Sequence, residues 1–449
     1  MSTTDAASVP GLSTASPRPY WHTTMPPLPD RSGRPLPDAA DVVVVGGGYT
    51  GVAAARALAG QGASVVLLEA ETLGFGASTR NGGIVHAGYS LGFDGLRRRF
   101  GEGPARALFR DTLEGYALLG QLIADEGIDA GFVEGGWLNL AWGPSHVEHL
   151  AAEAADLRTL GVPADVLAAD AVRGQTDTRY YHGALAVDHG GGLHPGRFFA
   201  GLAEAAARAG ADLHEHVRAL RVRGQADGRS VVETSRGPII AREVVAATNG
   251  YTDGVAPALR RRILPIGSYI IATEPLAPDL AHALAPTGRV FFDTKNFLYY
   301  WRVVDGRLLF GGRASFWPTT VARAAAMLYR GMLEVYPQLG GVRIEHAWGG
   351  RVGYTFDRLP HVGRIGGVTY AMGYCGTGVL LSTHLGTRVG EWLGGGPMPL
   401  LARVGFPLVP APYEGRPWFL PLAGEWYRLR DRLERRSPRP PGRSPEPAP

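Results

Sequence analysis

Apolar positions fall along this chain in two rhythms, and their alternation carries most of what the sequence says about the fold. Residues 42–45 and 65–68 are unbroken aliphatic runs, as expected of strands covered on both faces of a parallel sheet. Between them, residues 51–60 have the small-residue content of a helix lying close against such a sheet. Residues 104–126, 145–160 and 197–209 repeat apolar side chains at helical intervals and predict amphipathic helices. "ADLHEHVRALRV" (211–222) predicts a strand, with His214 and His216 on one face. "SVVETSRGPIIAREVVAATNG" (230–250) predicts a hairpin and then a buried strand over 243–247. Over 269–273 and 291–312 aromatic and polar residues alternate, which predicts a largely antiparallel sheet. Over 368–393 the chain returns to strand, glycine turn and helix.

This order predicts an α/β protein: a Rossmann-like nucleotide-binding domain with an interleaved α+β substrate domain built on a largely antiparallel sheet. The expected boundaries are an N-terminal arm over 1–38, with its first 18 or so residues disordered. The nucleotide-binding domain is expected over 39–100, 190–260 and 355–398, and the substrate domain over 101–189 and 261–354. A C-terminal docking segment (399–434) and a disordered proline-rich tail (435–449) complete the chain. "YWHTTMPPLP" (20–29) offers Trp21 as a point where the arm packs on the body.

Composition narrows the function classes. At 449 residues, with 45% hydrophobic and 19% charged, the chain has material for two packed domains. A formal net charge of +4 with no long basic block gives no sign of nucleic-acid binding, and Arg97, Arg98 and Arg99 read as a solvated helix face. One cysteine excludes an internal disulfide framework and, with no secretory signal and no apolar run long enough to span a bilayer, points to the cytoplasm. His182, His189 and His194 read as loop residues, and no metal-ligand set is evident, so no metal is expected.

Gly46, Gly48 and Gly51 give a GxGxxG turn directly after a buried strand and before a helix. Such a turn brings the backbone and the positive end of the helix against a diphosphate. Glu69 ends the second strand, where its carboxylate can accept both hydroxyls of an adenosine ribose and disfavours a 2′-phosphate. That pattern selects a dinucleotide without separating FAD from NAD. "GFGASTRNGGIVHAGY" (74–89) follows, a run of small and polar residues suited to lie under a long cofactor, with Ser78, Thr79, Arg80 and Asn81 available to donate. A plain surface turn is the alternative.

These segments, together with "GGLHPGRFFAGLAEAA", "VVAATNGY", "LYYWRVVDGRLLFGGR" and "RLPHVGRIGGVTYAMGYCGTGV", resemble the D-amino-acid oxidase superfamily of FAD-dependent oxidoreductases. The resemblance is nearest to gamma-glutamylputrescine oxidase-like members and to glycine and sarcosine oxidases, and it covers about residues 20 to 433. It implies noncovalent FAD held at Gly46, Gly48, Tyr49, Thr50 and Gly51, with Glu69 and Ala70 at the ribose. It also implies Ser78, Thr79, Arg80, Asn81, Gly82 and Gly83 along the cofactor and Val217 beside the adenine. Thr248 and Gly250 would cross close to it, and Gly373, Gly376, Thr377, Gly378 and Val379 would sit near the flavin pyrimidine and ribityl chain. Cys375 is assigned to packing rather than to a flavin linkage.

The resemblance further implies oxidative deamination of an amine or amino acid, with hydride passing from the α-carbon to flavin N5 and O2 as acceptor, giving H2O2. A dehydrogenase using a quinone or protein acceptor is the alternative, and an inactive nucleotide-binding protein is the alternative of another class. Candidate pocket residues are His86, Tyr89, Tyr300 and Arg302. Strand alternation sends Tyr300 and Arg302 to one face and Tyr299 and Trp301 to the other. Arg302 reads either as a bidentate carboxylate anchor or as a surface residue, and Tyr300 either as a pocket wall or as sheet packing. Lys295, the one lysine in the chain, reads either as an oxygen-activating lysine near N5 or as a turn residue. The exact amine and the oligomeric state stay open.

Overall fold

The computed structural model describes residues 8–435 apart from 314, 315, 318 and 411. The tail over 436–449 and residues 1–7, for which disorder was expected, lie outside the described residues.

Two eight-stranded sheets organise the chain. In the first, Ala39–Val45 lies at the centre, parallel to Val65–Leu68 on one side and to Gly237–Ala246 on the other. Asp212–His214 extends it beyond the second strand, and Val368–Met372 and His361–Ile365 extend it the other way. Val43, Val44, Leu67 and Val245 are fully buried, because helices or a side hairpin cover both faces of these aliphatic runs. Helix Tyr49–Ala59 packs between helices Pro195–Arg208 and Gly378–Leu393. The crossing is close: a Cβ at Gly386 would stand 2.4 Å from the Thr50 carbonyl oxygen.

The second sheet runs Ile344–Tyr354, Leu264–Thr273, Arg307–Gly312, Tyr299–Val304, Val290–Asp293, Trp137–Leu140, Gly183–Val187 and Ala164–Ala168. All its pairs are antiparallel except Val290–Asp293 with Trp137–Leu140. Helix Val321–Val335 covers one face, where Trp301, Phe310, Ile271 and Tyr336 form a dry aromatic cluster. A short antiparallel pair, Ile84–Val85 with Gly191–Gly192, joins the loop after the first nucleotide unit to the rest.

Three expectations need correction. The hairpin's return arm is one strand from Gly237 to Ala246, with Ile239 and Ala241 buried in the same cluster as Val244. The segment 211–222 breaks into Asp212–His214 and Ala219–Gly224. His216 between them adopts φ 56, so it does not share a strand face with the buried His214. The arm is seated from Val9 onward, with Val9 and Leu12 buried in the aromatic cluster and Ser16 bridging His346. Arg97 and Arg99 do lie on an exposed helix, paired with Asp156 at 2.9 Å and Asp357 at 2.8 Å. No helix among the described residues is long and apolar enough to cross a membrane.

Candidate cofactor and substrate site

The glycine turn closes on itself. Gly46 adopts φ +110, its amide donates to Leu68 O at 2.9 Å, and a Cβ at Gly51 would stand 1.9 Å from the Gly46 carbonyl oxygen. No side chain larger than hydrogen fits at Gly51. Glu69 lies beside the turn, accepting from the Gly47 amide at 2.8 Å and the Glu71 amide at 2.9 Å. Burial lifts its carboxyl above the usual range, and these amides oppose the shift. Val217 donates its amide to Glu69 O at 2.8 Å, which sets it beside Glu69.

A diphosphate fits this turn. Helix Tyr49–Ala59 begins at Gly48, which has no side chain to cap it; Ser78 takes the Tyr49 amide, and the other first-turn amides remain for a ligand. Helix Gly378–Leu393 begins at Thr377 in the same uncapped way, where negative charge is also stabilised. Thr50 Oγ1 and Tyr374 OH share a 2.7 Å hydrogen bond that ties the two helix starts together. Gly373 donates to Asn249 Oδ1 at 2.9 Å, which brings the Thr248–Gly250 crossing against the late turn. Cys375, buried at φ 53, contacts Thr355 and the Gly373 carbonyl, a packing environment that pushes its thiol pKa up.

The loop after Glu69 uses its side chains on itself. Thr79 donates to Gly74 O at 2.8 Å, and Arg80 Nε donates to Phe75 O at 2.7 Å. Asn81 Nδ2 donates to Ser78 O at 2.9 Å while its Oδ1 accepts from Gly83 N at 2.7 Å. Thr79, Arg80 and Asn81 therefore shape the loop, and the Gly83 amide and carbonyl are taken by Asn81, Leu193 and Arg302, so it is the backbone at Gly82 that remains to face a ligand. Ser78 differs: its hydroxyl accepts from the Tyr49 amide at 2.9 Å. The N-terminal arm locks this loop from outside. Trp21, fully buried, donates its indole N–H to Asn81 O at 2.7 Å, and His22 Nε2 meets Thr79 Oγ1 at 2.6 Å. Trp348, packed in the same cluster as Trp21, donates to Arg80 O at 3.0 Å.

The second sheet supplies the wall opposite. Tyr300 hydrogen-bonds Ser268 Oγ at 3.0 Å, and a Cβ at Gly82 would meet its ring at 3.1 Å. Arg302 is buried and donates from Nη1 to Leu193 O at 2.7 Å and to Gly83 O at 3.3 Å. No carboxylate of the described residues lies within ion-pair distance of it, and burial lowers its pKa to about 10. Arg302 is therefore neither on the surface nor a free fork. It fastens the sheet to the loop.

His86 lies over the Tyr300 face of the sheet, on Phe292, the cross-strand neighbour of Tyr300, whereas Lys295 stands apart. His86 donates to Ala87 O at 3.0 Å and stacks on Phe292 at 5.6 Å beside Trp137, where burial keeps it neutral. Lys295 lies 3.4 Å from Asp293 and 3.1 Å over the Tyr299 ring, with Trp142 at 4.6 Å. Tyr299 points to the dry side of the sheet, so Lys295 sits in a turn on the side away from Tyr300. Residues that sequence reasoning missed are Arg313 and Tyr354. Arg313 ends a motif quoted for the resemblance, Tyr354 lies four residues before the start of another, and both lie on the sheet face of Tyr300. Among the described residues no group of three or more His, Cys, Asp or Glu could hold a metal ion.

Residues 41–392 match the family described as DAO, FAD dependent oxidoreductase. The chain is 34% identical over 401 residues to gamma-glutamylputrescine oxidoreductase of Escherichia coli, covering 88% of this chain and 93% of that one. It is 33% identical over 433 residues to the probable oxidoreductase OrdL of Rhizobium meliloti, covering 92% and 97%. The fold superposes on the crystal structure of glycine oxidase from Geobacillus kaustophilus with a TM-score of 0.69. There the identity is 24%, with 84% of this chain and 100% of that one covered.

Proposed function

The chain belongs to the DAO family of FAD-dependent oxidoreductases, and from that premise we propose that it oxidises the C–N bond of a primary or secondary amine with O2 as acceptor. Its general chemistry is oxidative deamination on noncovalent FAD; the substrate, the acceptor and the roles of individual residues are our reading. Bound FAD supplies the hydride acceptor and the route for two electrons to oxygen. The amine gives up a hydride and a proton, O2 takes them as H2O2, and water then releases the carbonyl product from the imine.

Gly46, Gly48, Tyr49, Thr50 and Gly51 would hold the diphosphate, Glu69 the ribose, and Gly82 and Gly83 the ring. The observation that carries the reading is the composition of the sheet face over Gly82: Tyr300, Ser268, Arg302, Arg313 and Tyr354, with His86 on Phe292 beside Tyr300 and, among the described residues, no carboxylate ion-paired to either arginine. An ammonium placed there would meet guanidinium groups, which lower its pKa and favour the free base that donates hydride. The Tyr300 ring holds the alkyl chain against the loop and excludes water. Arg302 acts as a positioning residue, keeping the Gly83 and Leu193 carbonyls and hence the loop in place. The Escherichia coli relative takes its name from gamma-glutamylputrescine, so gamma-glutamylated polyamines are the first substrates to try.

Anaerobic mixing of the yellow holoenzyme with a panel of amines and amino acids, read as loss of flavin absorbance, tests this directly. Bleaching by an amine and recovery of colour in air are expected. Bleaching without recovery would make it a dehydrogenase for another acceptor, and no bleaching by any amine would end the reading.

A further inference from the structure

Arg302, Tyr300 and Arg313 stand in a row on one face of the second sheet. Tyr300 pairs with Gly311 and Arg302 with Leu309, so Arg313 continues the register one pleat beyond Tyr300, on the side away from Arg302. That places its backbone about 7 Å further along the strands than Tyr300. Its guanidinium lies 4.7 Å over the Tyr354 ring, hydrogen-bonds the Tyr354 hydroxyl, and donates to Asn296 O at 3.0 Å. Tyr354 in turn faces the late glycine turn, its hydroxyl 3.5 Å from where a Cβ at Gly376 would stand. Arg313 thus lies at the end of the wall nearest the late helix start, while Arg302 lies at the end nearest Gly83.

The charge on Arg313 is uncompensated. No carboxylate of the described residues forms an ion pair with it. Nearby acids are taken: Asp357 by Arg99 and His361, and Asp431 by the Asn296 amide at 2.9 Å and the Phe297 amide at 3.1 Å. Arg358 adds to the positive potential, and burial lowers the Arg313 pKa to about 10. A half-buried guanidinium among aromatic rings gains most from an anion that brings two oxygens to its planar fork.

We propose that Arg313, backed by Tyr354, anchors a carboxylate carried at the far end of the substrate. The enzyme then selects amines with an acid remote from the oxidised carbon over plain alkyl amines and over α-amino acids. The proposal rests on the amine-oxidation reading and adds the substrate class. An α-carboxylate, attached to the oxidised carbon itself, cannot reach Arg313 while its nitrogen lies under Tyr300. A chain of several methylene or amide units can.

The test uses the holoenzyme and two matched amines, the 4-aminobutyl amides of glutaric and of pentanoic acid, which differ only in the terminal carboxylate. Norvaline serves as the α-amino acid. The rate of anaerobic flavin bleaching against concentration gives a bimolecular constant for each. The wild type is expected to favour the glutaryl amide on the order of 50-fold, as a charge-assisted hydrogen-bonded pair implies. R313M should bring that ratio near one, and R313K should fall between. Equal constants in the wild type, a ratio unchanged in R313M, or preference for norvaline would overturn the proposal while leaving amine oxidation standing. Failure of all three compounds and of every plain amine would instead remove the reading beneath it. Should R313M emerge without flavin, glutarate titrated into wild type and R313K decides. A flavin difference spectrum that saturates, and weakens in R313K, is expected, and no spectral change would overturn the proposal.

Discussion

The two faces of the second sheet are made by the same strands and do opposite work. One face carries Tyr299, Trp301, Phe310 and Ile271, packed dry against helix Val321–Val335. The other carries Ser268 and Tyr300, bonded to each other, Arg302, which reaches Gly83 O, and Arg313, which reaches Asn296 O. A one-residue step along the strand separates a packing residue from a chemical one. Lys295 shows the force of the division. It belongs by residue type with the chemistry, yet its position on the Tyr299 ring assigns it to packing and ion pairing.

Substitutions across that step should separate stability from turnover. The largest effect is expected for Trp301→Ala, which empties a fully packed site and should cost about 3–5 kcal/mol in urea unfolding. The bleaching rate per folded molecule should stay unchanged. Lys295→Met should cost roughly 3 kcal/mol by leaving the buried Asp293 unpaired. Burial already raises the Asp293 pKa, and loss of the lysine raises it further. A carboxyl with a folded pKa above its unfolded one favours the fold below the unfolded pKa and weakens it as pH rises through the folded pKa. The deficit of Lys295→Met should therefore shrink in acid. Its rate of reoxidation in air should match wild type; a large fall there would move Lys295 to the other face of the comparison.

Smaller effects belong to the polar face. Arg302→Met leaves the Leu193 carbonyl without its side-chain donor and Gly83 O with the Leu193 amide alone, about 2 kcal/mol, and should show as weaker flavin retention on gel filtration. Tyr300→Phe loses one hydrogen bond to Ser268, within about 1 kcal/mol of stability, and should lower the bleaching constant by about tenfold. If Tyr300→Phe unfolds the protein while Trp301→Ala alters flavin kinetics, the faces have been assigned the wrong way round. Smallest is a pH effect on the arm. His22 and His194 are each pushed down to about 4, mainly by burial, below the ordinary value of 6.5. The folded protein therefore binds fewer protons than the unfolded chain between those values, and seating of the arm should weaken as pH falls from 6.5 toward 4. His194 caps its helix through Nδ1 and meets Thr24 at 2.8 Å through Nε2, so His194→Asn should flatten acid release of flavin.

The central strands were legible because aliphatic runs covered on both faces have little other use, and the glycine turn because Gly51 leaves no room for a side chain. Alternation also separated Tyr300 from Trp301. Other features depended on long-range partners that local pattern does not carry. Arg302 reads as a free fork until Gly83 and Leu193 are brought to it. Arg313 gained meaning from an absence of acids visible only in three dimensions. Thr79, Arg80 and Asn81 looked like donors for a ligand because sequence does not reveal that their own loop consumes them. His216 turned out of its strand through a left-handed backbone that no periodicity announces.

Seating of the arm also sets an order of assembly. Trp21 leaves the ribosome before the surfaces that receive its segment, which include His346, whose Nδ1 donates to the Arg18 carbonyl at 3.1 Å across 328 residues of chain. So large a loop closes late, after local contacts have formed. Until then the outer flank of the Asn81 loop stands uncovered, and on the proposed cofactor placement FAD would enter before the arm is seated.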